Sequence, residues 1–129
     1  VHQGDVLDPQ FGIGKNINDY TKPALKVGPH VAPLGLRFYT GNQFPPTYKN
    51  KIFICEHGSW NRSKKAGYKV GIATLEGNTI VNYEPFADGF LQNGDKVIGR
   101  PVDCIVTEDG SLLVSDDYAG VIYKISYIK

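Results

Sequence analysis

The residues best able to do chemistry lie in four short, separated stretches. The first is His57 to Arg62, reading HGSWNR, just beyond the apolar run Ile52 to Cys55. His57 and Arg62 bring N–H donors that can hold an anion or handle a proton, and Trp60 brings a flat apolar face. Gly58 lets the backbone leave a strand at an angle other residues resist. The others are Pro29-His30-Val31, Gly99-Arg100-Pro101 and Asp116-Asp117-Tyr118. Two arginines and two histidines around one Trp suit a planar, polyanionic ligand held by guanidinium forks and stacking.

Other chemistries are less well supplied. Ser59 stands two residues from His57, but no G-x-S-x-G elbow and no third partner accompany it, which argues against a serine hydrolase. Asp116 and Asp117 could act as an acid and base pair or as calcium ligands; as adjacent turn residues they could equally point to opposite sides. His2, Asp5 and Asp8 form a conceivable metal group with no spacing rule behind it, and Asn61-Arg62-Ser63 matches a glycosylation sequon, a weak pattern.

The elements that must position these stretches are strands. Gly 15, Pro 8, Tyr 8 and Phe 6 with no Met favour strands and turns over helices. Residues 1–32 read as an irregular connection with at most one short strand at Ala24 to Val27. Leu34, Leu36 and Phe38 then alternate with smaller or polar residues, and Lys51 to Glu56 is a continuous apolar strand of the kind buried on both faces. Tyr68 to Leu75 and Thr79 to Glu84 form a hairpin around Glu76-Gly77-Asn78. Pro85 to Arg100 is a second connection. Pro101 to Thr107 and Ser111 to Ser115 flank the turn Glu108-Asp109-Gly110, and a last strand runs from Gly120 to Ile128.

Sequential antiparallel strands in groups of four are the grammar of β-propeller blades, with an ordinary β-sandwich as the alternative. The expected architecture is all-β, about two four-stranded antiparallel blades. Residues 1–32 lead in from a preceding blade, 33–86 are the penultimate blade, and 87–129 are a last blade lacking its outer strand. In a blade the innermost strand begins on the face to which the second strand returns. The four chemical stretches should therefore converge on one face, where a propeller holds its ligand.

Composition excludes several classes. Charge is nearly balanced, 14 Lys+Arg against 13 Asp+Glu with no long basic run, so no nucleic-acid or membrane surface is expected. Apolar runs are far shorter than the roughly 20 residues of a spanning helix. Cys55 and Cys104 each sit inside an apolar run and read as buried free thiols, with a disulfide as the lesser reading. A start at Val1 without a signal peptide is expected of a processed or truncated chain.

The series HVAPLGLRFYTG (30–41), FICEHGSWNRS (53–63), GRPVD (99–103) and DGSLLVSDDYAGVIYKI (109–125) resembles the C-terminal part of the soluble, quinone-dependent sugar dehydrogenases, in particular their L-sorbosone dehydrogenase-like branch. The resemblance implies a six-bladed β-propeller outside the cytoplasm, periplasmic or secreted, that binds pyrroloquinoline quinone (PQQ) and calcium and oxidises aldoses at the anomeric carbon. It implies that Arg100 contacts the quinone carboxylates and that His57, Gly58 and His30 occupy cofactor-contacting positions; Arg62 joins them on charge and placement alone. It also implies that the histidine base and main calcium ligands lie in earlier blades, so that no catalytic or metal-binding residue falls in this stretch. The chain alone is then expected to be inactive and to need the missing blades or another copy over its open edges. Two departures stand out: Val102 occupies the place of a second family cation, and Gly58 that of a lysine in the glucose-oxidising branch. A propeller that merely binds carbohydrate or protein, or a calcium-dependent lactonase, are the competing functions.

Overall fold

The computed structural model describes residues 2–128, and its two main sheets follow the order of the chain. A small hairpin, β1 (His2–Gln3) with β2 (Val6–Leu7), and a 3-10 turn at Ile17–Asp19 precede the first sheet. That sheet pairs β3 (Pro33–Phe38), β4 (Ile52–Glu56), β5 (Lys69–Glu76) and β6 (Thr79–Ala87) in sequence, all antiparallel. A second 3-10 turn, Pro46–Tyr48, lies in the β3–β4 loop. A minor hairpin, β7 (Leu91–Gln92) with β8 (Lys96–Val97), leads to a three-stranded sheet of β9 (Pro101–Val106), β10 (Leu112–Asp116) and β11 (Val121–Ile125). Among the described residues no helix is long and apolar enough to cross a membrane.

The alternation of each strand explains where the core forms. Phe53 and Cys55 of β4, with Val70 and Ile72 of β5, face the second sheet and pack on Cys104, Leu112 and Val114. Tyr39, Phe44 and Phe86 close this layer; Tyr39 and Phe44 stack at 4.9 Å and Phe53 lies 4.6 Å from Phe86. Ile52, Ile54 and Ala73 point the other way, against Leu25, Leu75, Ile80 and Tyr83. Strand β4 is therefore buried along its whole length, as its unbroken apolar run requires. Each large side chain enclosed this way contributes about 1.5–3 kcal/mol.

Two expectations are corrected. Residues 1–32 hold two short strands rather than at most one: β1 and β2 pair with each other, while Ala24 to Val27 forms none and Leu25 packs on the outer face of the first sheet. The second connection begins later than Pro85, since β6 runs on to Ala87, and it contains the β7–β8 hairpin.

The sheets meet most closely where β3 runs beside β9. Gly35 lies against Asp103 there; a Cβ on it would come within 2.5 Å of the Asp103 Cα. Arg37 of β3 donates from Nε to the Cys104 carbonyl at 3.4 Å. At the end of the seam bearing the β3–β4 loop, the buried Tyr39 hydroxyl donates to the Gly110 carbonyl and accepts from the Phe44 N–H, both at 2.8 Å. Gln43 adds bonds to the Asp109 carbonyl, the Ser111 hydroxyl and the Tyr127 N–H.

Candidate functional site

Registry brings the chemical stretches to the opposite end of the seam. Pro33, which opens β3, pairs with Glu56, which closes β4; Pro101, which opens β9, pairs with Asp116, which closes β10. Whatever precedes β3 and β9 and follows β4 and β10 must therefore emerge together. The His57 N–H donates to the Ala32 carbonyl at 3.0 Å and the Gly58 N–H to the Val31 carbonyl at 2.8 Å. Arg62 Nη1 donates to the Pro29 carbonyl at 3.1 Å, so the backbone on both sides of His30 is tied to the HGSWNR loop.

Arg100 joins this cluster from the second sheet. Its Nε donates to the His57 carbonyl at 3.0 Å and its Nη2 to the Gly58 carbonyl at 2.6 Å. The guanidinium also lies 5.5 Å from the centre of the Tyr68 ring, an attractive cation–π distance. A guanidinium carries more N–H groups than these two carbonyls consume, so a clamped Arg100 keeps donors for an anion.

Local backbone strain is concentrated here. His30 (φ 64°), Ala32 (φ 49°) and Tyr68 (φ 62°) hold left-handed conformations that cost side-chain-bearing residues about 1–3 kcal/mol each. Gly58 (φ 91°) presses on the Tyr68 ring, where a Cβ would stand 2.6 Å from ring carbons. A side chain in the place of Gly58 therefore has no room on this backbone, which accounts physically for the absence of a lysine there. Tyr68 is buried, and its hydroxyl donates to the Ser59 carbonyl, pinning the loop from below.

The two adjacent acids have different duties. Asp116 is buried; its Oδ1 accepts from the Ala119 N–H at 2.8 Å and its Oδ2 from the Tyr123 hydroxyl at 3.4 Å, so it organises the β10–β11 turn. Asp117 is exposed and places Oδ1 2.8 Å from His57 Nε2. That hydrogen bond from His57 holds the Asp117 carboxyl below its ordinary range. The pair is therefore split between a turn and the site, as adjacent acids pointing apart require, and it does not offer two carboxylates to one metal. Ser59 Oγ is occupied by the Ala66 N–H at 3.1 Å and is buried, which removes it as a nucleophile. Trp60 is 88% exposed, so the loop does not close over a buried Trp but displays it.

Of the suggested metal group at the start of the chain, the side chain of His2 lies outside the described residues. Asp5 pairs with Lys26 at 2.8 Å and Asp8 Oδ1 accepts from the Gln10 and Phe11 N–H groups. Among the described residues no three His, Cys, Asp or Glu gather as metal ligands.

Two features escaped the sequence reading. Tyr68 supports both Arg100 and Gly58, and the glycine that precedes it was the visible trace: Gly67 (φ 87°) packs against the Gly58 Cα and the Val31 carbonyl, each at 2.8 Å from an added Cβ. The second is a buried polar group directly behind the site. Glu56 is fully enclosed, with Oε1 accepting from the Tyr83 hydroxyl at 2.5 Å and Oε2 3.7 Å from Lys69 Nζ without a hydrogen bond. Burial, followed by the Glu56 bond, pushes the Tyr83 phenol well above its ordinary value.

Comparison with known proteins places this geometry in a family. A Borreliella burgdorferi protein without an assigned function is 50% identical over 102 residues, 78% of this chain and 27% of its own length. A PQQ-dependent pyranose dehydrogenase of Coprinopsis cinerea is 30% identical over 123 residues, 81% of this chain and 16% of its own length. The chain thus spans under a third of these relatives. Among solved structures, the holo PQQ domain of the Coprinopsis cinerea pyranose dehydrogenase superposes with a TM-score of 0.59 at 26% identity, over 85% of this chain and 30% of that one. A glucose dehydrogenase shares the fold at a TM-score of 0.67 and 21% identity, over 89% and 29% of the two chains. A calcium-containing Trichoderma reesei structure of carbohydrate-active family AA12 does so at 0.57 and 20%, over 72% and 24%. The profile described as TrAA12-like matches residues 15–127, and on that match, over a clamp that joins two antiparallel sheets at one end, the chain belongs to the TrAA12-like family.

Proposed function

We propose that this chain supplies one arc of the cofactor-binding face of a PQQ-dependent sugar dehydrogenase. In this reading the two sheets are the penultimate (33–86) and last (87–129) blades of a six-bladed propeller, and residues 1–32 lead in from the blade before. The observation that carries it is the Arg100 fork on the His57 and Gly58 carbonyls, which fixes a cation at the junction of two sheets beside His30, Arg62 and an exposed Trp60.

The donor set fits the group. PQQ is flat and carries carboxylates; Arg100 and Arg62 are cations, and the exposed acid of the cluster, Asp117, is already paired with His57. Arg100, with donors left over from its clamp, would hold a carboxylate bidentately, and His30, His57 and Arg62 would add hydrogen bonds around it. The Gly58 backbone would line the wall at a point where no side chain fits. When bound, the quinone supplies the oxidising power, accepting hydride from the anomeric carbon of a sugar. The work of this chain is to bind and orient it: the strained, cross-tied loops hold the donors in place before the ligand arrives. Calcium and the proton-accepting histidine belong to residues beyond these, so the chain alone is inactive and takes missing blades or another copy on its open edges. A sorbosone-type or other aldose is the substrate, and a periplasmic or secreted location matches that role.

The test is titration of the full-length protein with PQQ and calcium, followed by dye reduction with a panel of aldoses. Saturable quinone binding with turnover is expected. Failure to bind quinone removes the assignment, and sugar affinity with no quinone binding would mark a non-catalytic carbohydrate-binding propeller.

A further inference from the structure

The tip of the loop between β4 and β5 carries groups that the cofactor clamp leaves unused. Its base is shut by two hydrogen bonds: the Ser59 N–H donates to the Ala66 carbonyl at 2.9 Å, and the Ala66 N–H to Ser59 Oγ at 3.1 Å. Residues 60–65, reading WNRSKK, project beyond that closure, and Arg62 ties their middle back to the Pro29 carbonyl. On this pinned backbone Trp60 is 88% exposed, so its indole packs on almost nothing within the chain. Lys64 is exposed and Lys65 half-buried, and neither has a hydrogen-bond or ion-pair partner among the described residues. No Asp or Glu occurs from His57 to Leu75, so nothing on the loop or along most of β5 offsets these cations. Asp117, which reaches the root of the loop from the other sheet, is spent on His57.

We infer that this tip is a subsite for acidic sugar chains: Trp60 stacks on one pyranose ring, and Lys64 and Lys65 pair with the carboxylates of neighbouring uronic acid units. The inference rests on the sugar-oxidising reading of the adjacent site and deepens it, naming the substrate class as an aldose at the end of an acidic oligosaccharide. The chemistry matches part by part. A pyranose ring turns a flat face of C–H groups outward, and the electron-rich face of an indole attracts them. Two unpaired ammonium groups on a stretch without acids draw in carboxylates and hold them through charge-assisted hydrogen bonds. Because the loop is already closed at its base, little ordering remains to oppose binding. An acidic peptide would satisfy the lysines equally well, but it offers no comparable flat face to a single displayed indole.

The experiment is calorimetric titration of the full-length protein, first without quinone and then loaded with PQQ and calcium, using tetragalacturonate, neutral galactotetraose and tetraglutamate. Tetragalacturonate should bind about tenfold more tightly than either of the others in both forms of the protein. That preference should shrink as ionic strength rises from about 0.01 M to about 1 M, where the screening length falls from roughly 30 Å to 3 Å. Trp60→Ala should weaken tetragalacturonate binding about tenfold, and Trp60→Phe, which keeps a flat ring, should recover part of it. Lys64→Gln combined with Lys65→Gln should abolish the preference for the acidic over the neutral sugar. Equal affinity for the two sugars, equal affinity for tetraglutamate, or unaltered binding by Trp60→Ala would each overturn the inference. The two readings fail separately: quinone turnover on free aldoses without an acidic preference defeats this subsite alone. Tetragalacturonate binding in a protein that takes up no quinone defeats the cofactor assignment and leaves the loop a carbohydrate site.

Discussion

The two ends of the intersheet seam are tied by opposite chemistry. At one end Tyr39 and Gln43 bond the Phe44 and Tyr127 N–H groups and the Gly110 and Asp109 carbonyls of the neighbouring sheet, with neutral groups and a buried ring. At the other, a charged Arg100 grips two carbonyls beside a histidine–aspartate contact, strained backbone and an exposed Trp60. The Tyr39 hydroxyl of the neutral latch is buried with both its donor and its acceptor capacity satisfied, as a structural fastening should be. The charged one leaves donors over and stands half open. In the proposed function, that surplus is what distinguishes the ligand face from an end that only holds the fold.

The comparison breaks first at Tyr39. Tyr39→Ala removes a ring packed on Phe44 and Phe53 and should cost about 3–5 kcal/mol in urea unfolding of the full-length protein. Tyr39→Phe, which strands a buried N–H and carbonyl, should cost about 1–3 kcal/mol and leave quinone affinity unchanged. A fall in affinity with Tyr39→Phe would erase the division of labour between the ends.

Arg100→Ala is the counterpart. Quinone affinity should fall by about 1–3 kcal/mol, read by absorbance titration, with a smaller loss of unfolding free energy than Tyr39→Ala. Unchanged affinity would make Arg100 a fastening like Tyr39.

Tyr68 sharpens the contrast, because it acts through Arg100. Tyr68→Leu should weaken quinone binding by about 0.5–2 kcal/mol through loss of the ring under the guanidinium, whereas Tyr68→Phe should restore most of that affinity. Equal losses in both variants would assign the effect to the hydroxyl bond with Ser59 instead.

The smallest effect is electrostatic. Asp117 has its carboxyl lowered by His57, so their contact is present above the ordinary aspartate range and is lost only as pH falls through that lowered value. His57→Ala should move the Asp117 titration upward toward the ordinary range, measurable by carbon-13 NMR of the carboxyl. An unmoved titration would mean that His57 is not the cause.

How far the sequence could be read depended on whether an element's reason for existing is local. Strand β4 was legible because all of Ile52 to Cys55 is apolar, and the β9–β10 hairpin because Asp109-Gly110 announces its turn. The meeting of His57 and Arg100 followed from strand direction alone, without any knowledge of side-chain contacts. By contrast β7 and β8, two residues each, are too short to display a period, and Ala24 to Val27 has a strand's composition but no partner. Tyr68 could not be recognised as a support, because its duties to Arg100, Gly58 and Ser59 are all tertiary. The exposure of Trp60 agrees with its reading as a stacking face, although composition alone does not fix whether an indole is enclosed or displayed.

Gly35 has a consequence for the spacing of the whole arrangement. Because β3 is bare where Asp103 leans on it, a single hydrogen sets how near two neighbouring walls can stand. One methyl at that point would act as a doorstop, splaying the walls and widening whatever gap they border, without touching a single charged group at the rim.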